Sequence, residues 1–434
     1  MAILRHSYSI ALSTQESAKA TTTPVTPKPT QRLDFLDGLR AFASIAVLFM
    51  HALQMQGYGT DRFGITPILP LGDGVIGDMI RFLYDDIFLR VGPWGVKLFV
   101  VLSGFSLMLG VARSQDEQIR GGVQGYFKRR IWRIWPPYYI ALIIAIILIL
   151  LVPGLNIKRG VYNDANIPIT WDSVVAHALF IHTLSPHWAE SINDSQWTLG
   201  VEEQIYLLFP LFLLPLWRRF GSVNMVIITT ALTLLLVAFI PFHNYEALHP
   251  WYLAMWSIGA MGASIAFSRR PNEIRWREQV PWLALAIGAF AVWQGAKVLV
   301  RLLVPSFDPY AFNLDPLTDL IFAVGCMALF IHLTQVWRRG VLPRWSLINL
   351  LSSPILGAYG RFTFSVYLTH VPFLCLFTVI LHSQGLVGDV FYPWLLLVGV
   401  PLTLLWAYIF HLIVERPFMS DTQKVANKYK MQTT

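Results

Sequence analysis

An all-α polytopic membrane protein is the fold class this sequence predicts, and three observations predict it. Hydrophobic residues fill 55% of the 434 positions and charged residues only 13%, well under the roughly 25% charged of soluble domains. Apolar runs long enough to span a bilayer recur along the whole chain. Lys and Arg gather at the ends of those runs, as they do on the cytoplasmic side of membrane helices. The 16 Trp and the 14% aromatic content suit a protein with many membrane–water interfaces. The net charge of +8 comes from those loop cations, so no nucleic-acid partner is expected. Cys326 and Cys375 both lie in apolar runs and indicate neither a disulfide framework nor a redox compartment.

The chain divides into a disordered cytosolic tail over 1–32, a transmembrane domain over 33–418 and a polar cytosolic tail over 419–434. The first tail is rich in Thr, Pro and Ser (ATTTPVTPKPT), and no cleavable signal peptide is expected in it. Spanning runs begin near Phe35, Trp94, Tyr138, Val201, Asn224, Trp251, Val280, Leu317, Phe362 and Tyr392, which predicts about ten transmembrane helices. Arg32 precedes the first run, and Arg113, Arg120, Lys128, Arg129, Arg130 and Arg133 lie between the second and third. The segment between the first two runs carries Asp61, Asp73, Asp78, Asp85 and Asp86 instead. The amino terminus is therefore cytoplasmic, and the same rule places Arg218–Arg219, Arg269–Arg270, Arg338–Arg339 and the carboxyl tail there too. Val174 to Leu184 is too short to cross and reads as a re-entrant or interfacial segment. Its His177 and His182 read as surface or packing residues, and no cluster has the spacing of a metal site.

Arg40 and His51 share the first long apolar stretch, LRAFASIAVLFMHAL. Eleven helical steps return both side chains to one face with a rise of about 16 Å. Ionisable groups in a membrane helix are costly unless they pair or line a wet cavity, so the pair marks a functional site. An interfacial Arg that snorkels and a His satisfied by a neighbouring helix explain it equally.

Four further clusters carry chemistry. Trp197-Thr198-Leu199-Gly200-Val201-Glu202-Glu203-Gln204-Ile205-Tyr206 runs from an outside loop into a crossing. Glu203 reads as an N-terminal residue favoured by the helix dipole. Glu202 shares a face with Tyr206 at i+4 and suits binding of a polar acceptor. Tyr126 to Pro137 interleaves Arg129, Arg130 and Arg133 with Trp132 and Trp135 before a predicted proline break. Positive-inside charge accounts for its cations, but guanidinium groups also grip phosphates and indoles stack on purines, as a cytosolic nucleotide-bearing ligand requires. Ser103-Gly104-Phe105 in the second crossing reads as close helix packing through Gly104 or as a site element. Arg361 to Pro372 puts Tyr367 and His370 on one face ahead of a predicted kink, and Val414-Glu415-Arg416-Pro417-Phe418 reads as a local ion pair with a proline stop.

In this order, these residues resemble the membrane-bound acyltransferase-3 family over nearly all of Arg32 to Phe418. They match its arginine–ten residues–histidine, Ser-Gly-Phe, Arg-x-x-Arg-Ile-x-Pro, Trp-Ser/Thr-Leu-x-x-Glu-x-x-Tyr, Tyr-Leu-x-His and Glu-Arg-Pro elements. The family's aromatic-rich glycine segment appears only loosely, as Trp256-Ser257-Ile258-Gly259-Ala260. No esterase-like domain follows within these residues, which weakens a bacterial envelope-glycan assignment and leaves room for a small-molecule or lipid acceptor.

The resemblance implies an acyl-CoA-dependent O-acyltransferase, with acyl-CoA as co-substrate, no tightly bound cofactor, and a carbohydrate, lipid or secondary-metabolite hydroxyl as acceptor. It implies His51 as general base, with Glu202 as a second catalytic group. Arg40, Ser103, Arg129, Arg130 and Arg133 then face the donor, and Trp197, Tyr206, Tyr367 and His370 the acceptor. The expected location is an endomembrane or the plasma membrane. The rival class is a transporter with a proton relay through His51, Glu202 and His370. No hydropathy-symmetric halves with broken helices support it.

Overall fold

The computed structural model describes residues 32–55, 89–155, 169–189, 191–240, 247–303, 315–340, 346–386 and 390–419. Apart from Arg32 and Met419, both expected tails lie outside the described residues, as does the acidic segment from Asp61 to Asp86. Among the described residues the chain is all helical, with no strand.

Helix α1 (Asp34–Gln54) opens with Asp34 and Asp37 in its first turn, where the helix dipole favours carboxylates. Helix α2 (Leu89–Arg113) ends on a cation, as suits a helix carboxyl terminus. Helix α3 (Gly122–Leu151) starts after Gly121, whose φ of 74° needs a glycine. It runs on through Pro136 and Pro137, so the predicted proline break does not occur. Where the surroundings are apolar, the backbone has no better partner than its own helix, and neighbours meet the freed carbonyls. Helix α11 below likewise continues through Pro372.

The segment read as too short to cross, Val174 to Leu184, takes in the end of the eight-residue helix α4 (Trp171–Ala178), which opens on a Thr170–Ser173 capping box, and a 3-10 turn at His182–Leu184. Helix α5 (Trp197–Leu208) passes through a π-turn at Phe209–Leu213 into α6 (Leu214–Phe239). That run breaks at Gly221, with φ 83° and ψ 175°, a conformation left to glycine. There follow α7 (Tyr252–Phe267), the polar α8 (Pro271–Gln279), α9 (Trp282–Leu303), α10 (Asp315–Arg339) and α11 (Thr363–Ser383). The final segment centres on α12 (Val400–Phe410), between π-turns at Leu395–Gly399 and His411–Glu415.

Among the described residues, seven helices are long and apolar enough to cross a bilayer, the longest being the kinked Trp197–Phe239. Two shorter apolar helices, Tyr252–Phe267 and Trp282–Ala296, accompany them. One core packs Phe105, Trp217, Trp256 and Phe330 between α2, α6, α7 and α10, and the other packs Tyr138, Leu368 and Phe391 between α3, α11 and the last segment. Helix α1 bridges them, giving Leu39 to the first and Leu48 to the second. The glycines at positions 104 and 259 bring α2 and α7 into backbone contact. A β-carbon on Gly104 would overlap the Trp256 carbonyl, and one on Gly259 the Val101 carbonyl. The packing role of Gly104 and the loosely matched glycine segment are thus two halves of one contact.

Candidate functional site

Two cavities lie end to end between α1, α2, α5 and α11. The larger, about 370 Å³, is lined by Arg32, Arg40, Arg130, Arg133 and Arg361 against Asp37, Glu202 and Glu415. The smaller, about 210 Å³, is lined by His51, Trp197, His249, Trp251 and Tyr252 with Lys97, Asp315 and Asp319. Val96, Thr198 and Tyr367 border both and form the partition. The Tyr367 hydroxyl donates to the Ser195 carbonyl and meets the Thr198 hydroxyl, which ties α11 to the start of α5 across that partition.

Five guanidinium groups converge on the larger cavity with different freedom. Arg40 donates to Asp37 at 2.9 Å and to Ser106 Oγ at 2.7 Å, while Arg32 reaches the other Asp37 oxygen at 2.5 Å. Arg130 lies over the Tyr206 ring, its Cζ 4.5 Å from the centroid. Arg129 points elsewhere. It is exposed, donates to the Arg120 carbonyl at 2.6 Å and lines neither cavity. One helical turn separates it from Arg133, yet α3 turns only the face of Arg130 and Arg133 inward. Several planar cations about one cavity suit phosphate or carboxylate groups.

Ser103 and Tyr206 build a directed chain on the wall of the same cavity. Trp256 Nε1 donates to Ser103 Oγ at 3.3 Å, Ser103 bonds the Tyr206 hydroxyl at 2.8 Å, and Tyr206 donates to Glu202 Oε2 at 3.0 Å. Glu202 and Tyr206 thus face the arginines, whereas Trp197 faces His51, so the three do not form one wall. Glu203, expected as an N-terminal helix residue, is instead buried and accepts from Trp135 Nε1 at 3.3 Å.

His51 occupies the smaller cavity. Its Nδ1 lies 3.0 Å from the Val47 carbonyl and 3.1 Å from Nε2 of His370. Helix α1 thereby presents Arg40 to one chamber and His51 to the next, as their common face predicts. Beside His51, the Trp197 indole stacks on His249 at 4.1 Å between centroids. Lys97 and Asp319 form a buried ion pair, and Trp251 Nε1 donates to Asp319 Oδ2 at 3.0 Å.

Several lining residues escaped sequence reasoning. Asp37 lies one helical turn from Arg40 but outside every cluster singled out above, and Ser106 and Asp319 become visible only through tertiary contacts. Glu415 was read as paired locally with Arg416. It is instead buried, accepts from Ser365 Oγ at 2.6 Å and lies 2.7 Å from His411 Nδ1. The final π-turn places Glu415 inside the bundle and leaves Arg416 exposed. His177 and His182 are packing residues and not surface ones. Their rings stack at 4.2 Å, and burial lowers their pKa values to about 3 and about 4. Asn193 is buried, with its side-chain amide donating to the Leu368 carbonyl at 3.2 Å.

Comparison with known proteins adds an independent finding. Residues 33–412 match the acyltransferase-3 family, described as an acyltransferase domain. The acyltransferase MdmB of Streptomyces mycarofaciens is 27% identical over 43% of this chain and 40% of its own length. A Staphylococcus aureus protein provisionally named an O-acetyltransferase is 22% identical over 81% of this chain and 57% of its own. A Caenorhabditis elegans protein named regulator of hypoxia-inducible factor 1 is 22% identical over 92% of this chain and 82% of its own. The chain thus spans well under two thirds of the Streptomyces and Staphylococcus relatives. No solved structure matches.

Proposed function

The chain belongs to the acyltransferase-3 family, and from that premise we propose that it carries an acyl group from cytosolic acyl-CoA to a hydroxyl acceptor, with His51 as general base. The observation that carries this reading is the abutment of an arginine-lined cavity and a histidine-bearing aromatic one across a partition of three side chains. Phosphates and the pantetheine arm suit the first, and a hydroxyl compound suits the second.

The reaction balances without a covalent enzyme intermediate. The acceptor oxygen attacks the thioester carbonyl carbon as His51 takes the hydroxyl proton. The carbon–sulfur bond then breaks, and His51 returns the proton to the departing thiolate. Arg130 and Arg133 hold the nucleotide end, while Arg40, braced by Asp37 and Ser106, steadies the arm. The chain through Ser103 and Tyr206 holds Glu202 on the donor side, near where the thioester enters. Trp197, Tyr367 and the aromatic wall beyond the partition contact the acceptor.

About ten crossings with both tails cytoplasmic belong to this proposal. The kink at Gly221 divides the longest helix in two, and the two shorter apolar helices supply the remaining crossings. Contacts among predicted cytoplasmic cations support it. Arg218 donates to the Glu117 carbonyl, Arg270 pairs with Glu117 at 2.7 Å, and Arg113 and Arg338 both lie against the Phe267 ring. These helix ends meet at one side of the bundle.

The test is incubation of purified protein in lipid nanodiscs with radiolabelled acetyl-CoA and longer acyl-CoAs, reading release of the CoA thiol. Slow hydrolysis to water that disappears in His51→Ala is the expected outcome. Labelled solute accumulating in proteoliposomes, with no thiol release from any acyl-CoA, would identify a transporter instead.

A further inference from the structure

The second histidine of the site, His370 on α11, is 1% exposed and borders neither cavity. An acceptor-binding role therefore fits it poorly. Its ring stands edge-on to that of His51, with centroids 4.9 Å apart and planes at 64°. Its Nδ1 lies 2.9 Å from the Val366 carbonyl oxygen and 3.0 Å from that of Tyr367. A carbonyl oxygen only accepts, so this nitrogen carries the proton. A neutral imidazole has a single N–H, which leaves Nε2 of His370 as an acceptor.

That acceptor lies 3.1 Å from His51 Nδ1, whose other neighbour is the Val47 carbonyl at 3.0 Å. Facing two acceptors, His51 Nδ1 must be the protonated nitrogen. Its Nε2 is then the bare one, on a ring that lines the aromatic cavity. We infer that His370 is a positioning residue that sets the tautomer and ring orientation of His51, so that Nε2 meets the acceptor as a ready base.

Two backbone carbonyls of α11, acting through the His370 imidazole, thus join the Val47 carbonyl of α1 in fixing which nitrogen of His51 is free. When the acceptor proton reaches His51 Nε2, the Nδ1 proton stays shared between His370 and Val47. His370 itself takes up no proton, and the thiolate finally receives the one in transit. The catalytic consequence rests on His51 being the base, whereas the tautomer assignment stands without it.

The experiment is therefore spectroscopic first. Protein labelled with [15N]histidine is reconstituted in nanodiscs, and the His51 signals are identified by their loss in His51→Gln. The expected spectrum shows Nδ1 protonated and Nε2 bare. With the Val47 carbonyl still accepting from Nδ1, His370→Leu should raise the fraction of the opposite tautomer, and His370→Gln, whose side-chain oxygen accepts, should lower it again. A bare Nδ1 in the unaltered protein, or an unchanged tautomer in His370→Leu, overturns the inference.

Kinetics with acetyl-CoA and water as acceptor supply the second arm. Loss of a tautomer-setting partner in a hydrolase triad lowers turnover up to about 10⁴-fold. Here His370→Leu should lower kcat at least about tenfold with KM for acetyl-CoA unchanged, and His370→Gln should recover most of it. A raised KM at full kcat would make His370 a binding residue and overturn the inference. If His51→Ala itself hydrolysed acetyl-CoA normally, the base assignment would fail while the spectrum still decided the role of His370.

Discussion

The two cavities are separated by only three side chains, yet they are built from opposite materials. The larger is a basin of guanidinium groups in which the carboxylates are partly spoken for, Asp37 by two arginines and Glu202 by a tyrosine. The smaller is walled by indole, imidazole and phenol rings, and its Lys97 and Asp319 neutralise each other. One is suited to multiply charged groups that keep some contact with water. The other suits a largely neutral compound, and its low polarity strengthens whatever hydrogen bond His51 makes. The contrast shows how one helix serves two chemistries. Helix α1 needs no bend to do so, because three turns along a single face carry the chain from one chamber into the next.

The sharpest way to break this division is at His51. His51→Ala should lower acyl transfer by about 10²–10⁴-fold, the usual cost of losing a general base. Acyl-CoA binding, read by calorimetry on the nanodisc protein, should stay intact because the change strands no charge. Retained turnover at equal expression would move the chemistry into the arginine cavity.

A smaller effect is expected on the donor side. Arg133→Ala should weaken acyl-CoA binding about ten- to hundredfold, the equivalent of one lost charge-assisted hydrogen bond of roughly 1.5–3 kcal/mol. Its effect on acceptor KM should be slight. Equal losses for both substrates would mean that the two chambers are not functionally separate.

Gly104→Ala probes the scaffold behind the partition. The added methyl meets the Trp256 backbone, and overpacking of this kind costs about 1–3 kcal/mol. A lowered thermal midpoint is expected, together with a disturbed Trp256–Ser103 bond. An unchanged midpoint would show that α2 and α7 can separate freely.

The smallest effect sharpens the comparison most. Arg129→Ala removes a cation one turn from Arg133 but outside both cavities, so donor affinity should change by less than about twofold, as for exposed charges generally. A loss as large as that of Arg133→Ala would mean that the basic segment acts as a diffuse field and not as a built site.

Legibility from the sequence followed the range of the interaction concerned. Hydropathy, loop charge and helical spacing are local, and they sufficed for the helical membrane fold, for the common face of Arg40 and His51, and for the short segment around α4. Spacing also related Glu202 to Tyr206. It could not tell which face of α3 turned inward, and so it grouped Arg129 with Arg130 and Arg133. It also joined Trp197 to Glu202, which the partition divides.

The sequence by itself determined what is periodic, because helix geometry converts residue number into direction. Tertiary structure alone decided which directions meet. His370 and His51 stand 319 positions apart, and Ser103 reaches Tyr206 across 103. Glu415 found Ser365, 50 positions away, and its sequence neighbour Arg416 stayed outside. Such pairings depend on how helices pack, through contacts such as that of Gly104 with Trp256, and packing is a property of surfaces that no single helix carries.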